Sequence, residues 1–114
     1  MSNSSNLSYG KAIYEGIYQS MLNNPNVFIF GQGVDDYKGH YGTTLNLHKI
    51  FGKERAFDTP ISEDSLTGIA IGSSLAGMRP IFVHQRMDFL MLCMNQLVNM
   101  ASKICYISNG HQNV

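Results

Sequence analysis

The sequence predicts an α/β domain, a parallel sheet with helices on both faces. Three observations predict it. Helical apolar spacing alternates with short apolar runs, in the order helix, strand, helix, strand, helix, strand, helix. The strand candidates are continuous rather than alternating in polarity, which suits strands buried on both faces. Turn-forming residues bound each run, and no repeat, low-complexity stretch or linker interrupts the series.

Each element has a local reason. Residues 1–6 (MSNSSN) are polar and read as a disordered lead-in, leaving 7–114 as one domain. From Leu7 to Asn23, the residues Tyr9, Ile13, Ile17 and Met21 recur every four positions with Ala12 beside them, and Ser8 stands where an N-cap belongs. Asn23-Asn24-Pro25-Asn26 ends that helix, and Val27-Phe28-Ile29-Phe30 is the first strand. Residues 31–42 are a glycine-rich loop. Thr43 or Thr44 is expected to cap a helix that runs to Phe51 and stops at Gly52. Arg55-Ala56-Phe57 is a short strand. Ser62 is expected to cap a helix from Glu63 to Ala76, which Gly77 ends. Ile81-Phe82-Val83 is the third strand. Asp88 is expected to cap a long helix to Lys103, with Phe89, Leu92, Met94, Leu97, Val98 and Ala101 as its apolar positions. Ile104 to Ile107 is open to reading as a further element, before a turn at Ser108-Asn109-Gly110.

Composition narrows the function classes. The chain has 114 residues, 44% hydrophobic and 14% charged, enough for one globular core. Eight Lys and Arg balance eight Asp and Glu, so the basic footprint of a nucleic-acid binder is missing. No apolar run is long enough for a spanning helix, and the polar start lacks a secretory pattern, so the expected location is cytoplasmic, away from membranes. Cys93 and Cys105 form no C-x-x-C and read as reduced, semi-buried thiols, although a disulfide is not decided by sequence. His40, His48, His84 and His111 show no metal-site spacing, and no metal ligand is assigned to this chain.

Few residues carry chemistry. Gly31-Gln32-Gly33 follows a strand as a phosphate loop does, but Asp36 stands where the third glycine belongs, so a plain loop is the reading. Glu63 and Asp64 open a helix, where the helix dipole favours carboxylates; taken alone, this is ordinary. The helix itself is unusual. Gly68, Gly72 and Ala76 fall at i, i+4 and i+8, and a helical glycine costs about 1 kcal/mol against alanine. Either another helix backbone approaches this stripe, within or between subunits, or the stripe packs tightly on the chain's own sheet.

Glu63, Gly68-Ile69 and Gly72 together resemble the glutamate-then-glycine motif of the pyrimidine-binding domain of thiamin-diphosphate enzymes. The longer string from Phe51 through Asp58-Thr59-Pro60-Ile61-Ser62-Glu63, then Thr67 to Gly72 and Ala76 to Pro80, is similar to the β subunit of 2-oxo-acid dehydrogenases of the pyruvate and branched-chain type. Met94 to Lys103 and Ser108 to Gly110 continue the likeness, which runs from about Leu7 onward.

The resemblance implies an incomplete thiamin-diphosphate-binding fold, the N-terminal part of a transketolase-like pyrimidine-binding domain. It implies a cofactor held between subunits, with Glu63 hydrogen-bonded to a pyrimidine ring nitrogen. That bond favours the imino tautomer, whose nitrogen takes the thiazolium proton and leaves the ylid that attacks a 2-oxo acid. Gln85 and Phe89 are the further cofactor-binding candidates, and Gly68, Gly72 and Ala76 the interface candidates. The Gly-Asp-Gly motif of the diphosphate and Mg²⁺ site is absent from this sequence. An α-type partner is therefore expected to supply that half, in a homo- or hetero-oligomer acting on a small 2-oxo acid or a sugar-derived substrate.

The sequence departs from the family at two places. Gln32 and Gly33 stand where the family usually has a Glu pair, and in the run from His84 to Phe89 only Phe89 fits an acidic-aromatic pattern. Both places follow the carboxyl end of a strand, where α/β proteins set their ligands. His84 is a candidate acid/base and Arg86 a candidate partner for a substrate carboxylate. The plainer reading is an Arg86 surface ion pair and a capping Asp88. The alternative for the whole chain is a truncated, catalytically inert fragment or interaction module, because family β subunits are much longer. Its unfinished sheet would expose an edge and apolar surface, with poor solubility or association as the result. A Rossmann-like nucleotide binder rests on the α/β order alone.

Overall fold

A computed structural model describes residues 6–114; of the expected lead-in, residues 1–5 lie outside the described ones. The elements are α1 (Tyr9–Asn23), β1 (Val27–Gly31), α2 (Leu47–Phe51), β2 (Ala56–Asp58), α3 (Glu63–Leu75) and β3 (Arg79–Val83). A helical run follows: a 3-10 stretch Met87–Cys93, a π stretch Gln96–Ala101 and α4 (Ser102–Ile107).

The three strands form one parallel sheet in the order β2-β1-β3. From β1 the chain steps one way to β2 through α2, then back across β1 to β3 through α3. Right-handed crossovers in opposite directions place α2 and α3 on opposite faces. The predicted α/β class holds.

Alternation along the strands divides the apolar residues between the faces. On one face Val27, Ile29 and Ala56 pack with Met21, Val34 and Leu47. On the other, register sets Phe30 opposite both Phe57 and Phe82. Their rings stack at 5.8 and 5.0 Å between centroids, an aromatic ladder across all three strands. Pro80 lies in β3, at the sheet edge where a missing N–H is tolerated.

Several local expectations change. The buried stripe of α1 is Tyr14, Ile17, Tyr18 and Met21, whereas Tyr9 is 85% exposed. A strict four-residue spacing drifts about 40° per step around a helix, so a line from Tyr9 to Met21 cannot stay on one face. Ser8 does cap α1, accepting from the Lys11 N–H. Thr44 does not cap α2. It is fully buried, accepting from the His40 N–H and donating to the Gly33 carbonyl, while Asn46 in the left-handed region starts the helix. Ser62 occupies the N-cap of α3 without a side-chain capping bond.

The long helix is not capped by Asp88. Arg86 precedes its 3-10 opening, and Asp88 pairs with Arg86 at 3.0 Å. Because 3-10 and π turns change the angle between successive residues, Leu92 and Val98 are exposed rather than core. Residues 104–107 continue the same run rather than starting another element. Both cysteines are free thiols; Cys93 is buried, and Cys105 is exposed rather than semi-buried. Among the described residues no helix is long and apolar enough to cross a membrane.

Candidate functional site

The carboxyl ends of β1 and β3 and the first turn of α3 meet at one place. β1 ends at Gly31, whose φ of +133° no other residue type adopts with ease. A Cβ there would lie 2.3 Å from the Val83 carbonyl oxygen. Glycine thus lets the two strands close up, and the Gln32 N–H extends the ladder to the Val83 carbonyl at 3.1 Å. This fixes the backbone of Gln32 and brings it level with His84.

Gln32 and Glu63 are both buried polar residues, 5% and 8% exposed. The Gln32 Nε2 donates to Glu63 Oε1 at 3.3 Å, and this is the carboxyl's one side-chain partner among the described residues. Glu63 lies in the first turn of α3, and the Thr67 hydroxyl donates to its carbonyl at 2.7 Å. No cation pairs with Glu63 among the described residues.

His84 stands beside this pair. Burial pushes its imidazole below the ordinary histidine value, and the Glu63 charge offsets part of that. Its ring packs on Phe82 at 4.3 Å between centroids, and its Nε2 lies 3.9 Å from the Cys93 sulfur. Its Nδ1 is buried with no partner. His84 also lines a cavity of about 300 Å³ between α3 and the helical run, with Thr67, Ile71, Phe82 and Leu97.

Gln85 and Arg86 face a different space. With Lys38, His40 and Tyr41 they line a cleft of about 550 Å³ between the loops after β1 and β3. The His40 Nε2 lies 3.1 Å from the Gln85 carbonyl oxygen and ties the two loops together. Arg86 lies over the Phe89 ring at 4.9 Å and holds the exposed Asp88 pair. The structure therefore brings Glu63 and His84 together, sets Gln85 and Arg86 on the adjoining loop, and places Phe89 in the 3-10 stretch that follows.

The small-residue stripe does not pack on the sheet. The sheet receives Thr67 and Ile71, while Gly72 and Ala76 are exposed. A Cβ on Gly68 would meet the Gln96 side chain at 3.4 Å, and one on Gly72 would meet nothing within 4 Å. In the sequence, Gln32 stands out only as a departure from a family pattern. The signal that finds it is a buried amide one residue past a strand that must end in glycine.

The sequence matches the family described as "Transketolase, pyrimidine binding domain" over residues 5–109. It is 42% identical over 100 residues to the pyruvate dehydrogenase E1 component subunit beta of Gracilaria tenuistipitata var. liui, covering 88% of this chain and 31% of that protein. It is 38% identical over 102 residues to the mitochondrial subunit of the same name from Chaetomium thermophilum, covering 90% and 27%. The mitochondrial subunit of Bos taurus is 38% identical over 104 residues, covering 91% and 29%. The chain thus spans about a third of the length of the curated relatives it matches. These matches cover all three strands and the site at their carboxyl ends, and the chain belongs to the transketolase pyrimidine-binding domain family.

Proposed function

We propose that the chain is the pyrimidine-binding part of a thiamin-diphosphate-dependent 2-oxo-acid dehydrogenase, with Glu63 as the carboxyl that addresses the cofactor's pyrimidine ring. The observation that carries this reading is the state of Glu63. It is a buried carboxyl at a helix start, held by one neutral amide and by no cation among the described residues. Structural carboxylates at such depth are usually paired with a positive charge. A carboxyl with one oxygen engaged and one left over fits a ring nitrogen that must accept or share a proton. The residues present therefore fit the group.

When bound, thiamin diphosphate supplies the carbanion chemistry. The chain's own residues orient it and control a proton. Glu63 holds the proton at the ring nitrogen, from the rigid first turn of α3. His84, whose basicity burial lowers, offers an imidazole beside Glu63. Gln85 and Phe89 are assigned to cofactor contact, and Arg86 to the carboxylate of a small 2-oxo acid entering the adjoining cleft. An α-type partner is proposed to hold the diphosphate and Mg²⁺, docking along the exposed Gly72 and Ala76 stripe beside Ile69.

The interaction-module reading has one observation in its favour. Ile69, Met91, Leu92, Val98 and Tyr106 are large apolar residues exposed on α3 and the helical run. The two readings separate on Glu63. With the α-type partner, Mg²⁺ and thiamin diphosphate added, Glu63→Gln is expected to lower 2-oxo-acid decarboxylation at least about a hundredfold while the complex still assembles. Full turnover in that variant sinks the cofactor role.

A further inference from the structure

We propose that Gln32 is the positioning residue for Glu63, a role that rests on the cofactor reading above. Its amide fixes one carboxyl oxygen so that the other faces the ligand. Two rigid elements hold the contact. Gln32 is locked by its N–H bond to Val83 and by the close strand approach at Gly31; Glu63 is locked in α3. The contact spans 31 residues of sequence and joins two buried residues.

The choice of an amide has a chemical consequence. An amide N–H gives the carboxylate a donor but adds neither a charge nor a proton to share. A carboxyl at this position would set a second like charge at the same 3.3 Å separation, and two carboxylates that close do not both ionise. They would hold one proton between them, as a coupled pair. With Gln32, Glu63 is the single acid of the contact, and the proton exchanged with the ring nitrogen has one protein owner. A methionine would match the glutamine in length but leave Oε1 without its donor and free to turn.

The test has two arms. In the ¹⁵N-labelled chain, the Gln32 side-chain amide protons are expected to exchange with solvent more slowly than those of the exposed Gln19, and to shift when Glu63→Ala is made. Equal exchange and no shift overturn the contact. In the complex with the α-type partner, Mg²⁺ and thiamin diphosphate, the rate of C2 proton exchange and the cofactor affinity are read separately by NMR and calorimetry. Gln32→Met is expected to slow C2 exchange about tenfold with affinity unchanged, the value of one hydrogen bond to a charged group. Gln32→Glu turns the contact into a pair that shares one proton, so the shape of the pH profile of C2 exchange is expected to change from that of the native chain. Wild-type C2 exchange in Gln32→Met, with slow exchange in Glu63→Ala, overturns the role of Gln32 alone. Unchanged exchange in Glu63→Ala, or a native complex that retains no cofactor, overturns the cofactor reading and this role with it.

Discussion

His84 links a half-buried ring to a carboxyl in a way that makes a pH prediction. Burial lowers its folded-state value below that of the unfolded chain, and the Glu63 charge raises it part of the way back. Between the ordinary histidine value and the lower folded one, the unfolded chain binds more protons than the folded chain. Stability then rises with pH through that window and falls on acidification. His84→Phe is expected to flatten this slope, read by urea denaturation at a series of pH values below about 6.5. Glu63→Gln removes the one contribution that raises His84, so its imidazole C–H resonances are expected to titrate at still lower pH than in the native chain. A titration that moves upward would refute the Glu63–His84 coupling. Of these residues, the sequence singles out Glu63 through its motif and His84 through its place after a strand. That Gln32 and His84 stand beside Glu63 is not legible, because they reach it from parallel strands that lie far apart along the chain.

The elements owe their joints to two residues. Arg55, just before β2, commits its guanidinium to backbone. Its Nη2 donates to the carbonyls of Met21 at 2.7 Å, Asn24 at 3.0 Å and Val27 at 2.8 Å, and the group lies over the Phe51 ring. It thereby ties the end of α1 to the start of β1. Arg55→Ala strands those acceptors and is expected to cost about 3 kcal/mol in urea unfolding, with Arg55→Lys recovering only part because a point charge lacks the fork. Gly31→Ala sets a Cβ against the Val83 backbone, and the β1–β3 pairing must open to admit it. The expected destabilisation is at least about 2 kcal/mol, and the displaced strand end carries the Gln32 amide out of hydrogen-bond reach of Glu63. At this scale the sequence is informative about strands, since short β-branched and aromatic runs between turns have few other homes. It is less informative about helix faces. The apolar residues of 87–107 fit an ordinary helical spacing, but the 3-10 and π turns rotate Leu92 and Val98 outward. Cys93 is buried beside His84 and Leu97 faces Thr67 and Ile71 of α3, and such packing is not a local property of the sequence.

For the whole molecule, the decisive feature is how its apolar surface is shared. One face of the sheet is closed by α1 and α2, and the aromatic ladder on the other lies on the side of α3 and the helical run. The outer sides of α3 and that run remain rich in large apolar residues: Ile69 is 56% exposed, Met91 68%, Leu92 59% and Val98 49%. Scattered apolar residues on a surface need no explanation, but these lie on adjoining elements beside the open Gly72. The exposed small residues let a partner backbone come close, and the large ones supply area around them. The chain alone is therefore expected to self-associate at tens of micromolar, as judged by sedimentation velocity, and an α-type partner is expected to compete for the same face. The double substitution Leu92→Lys and Val98→Lys places charge there without touching the core. It is expected to leave the circular dichroism unchanged, to return the chain to a monomer and to abolish partner binding. A native chain that sediments as a monomer, or a doubly charged variant that binds the partner as before, would remove this face from the interface. If partner binding and C2 proton exchange disappear together in that variant, the face and Glu63 belong to one assembly, as the proposed sharing of the cofactor between two subunits requires.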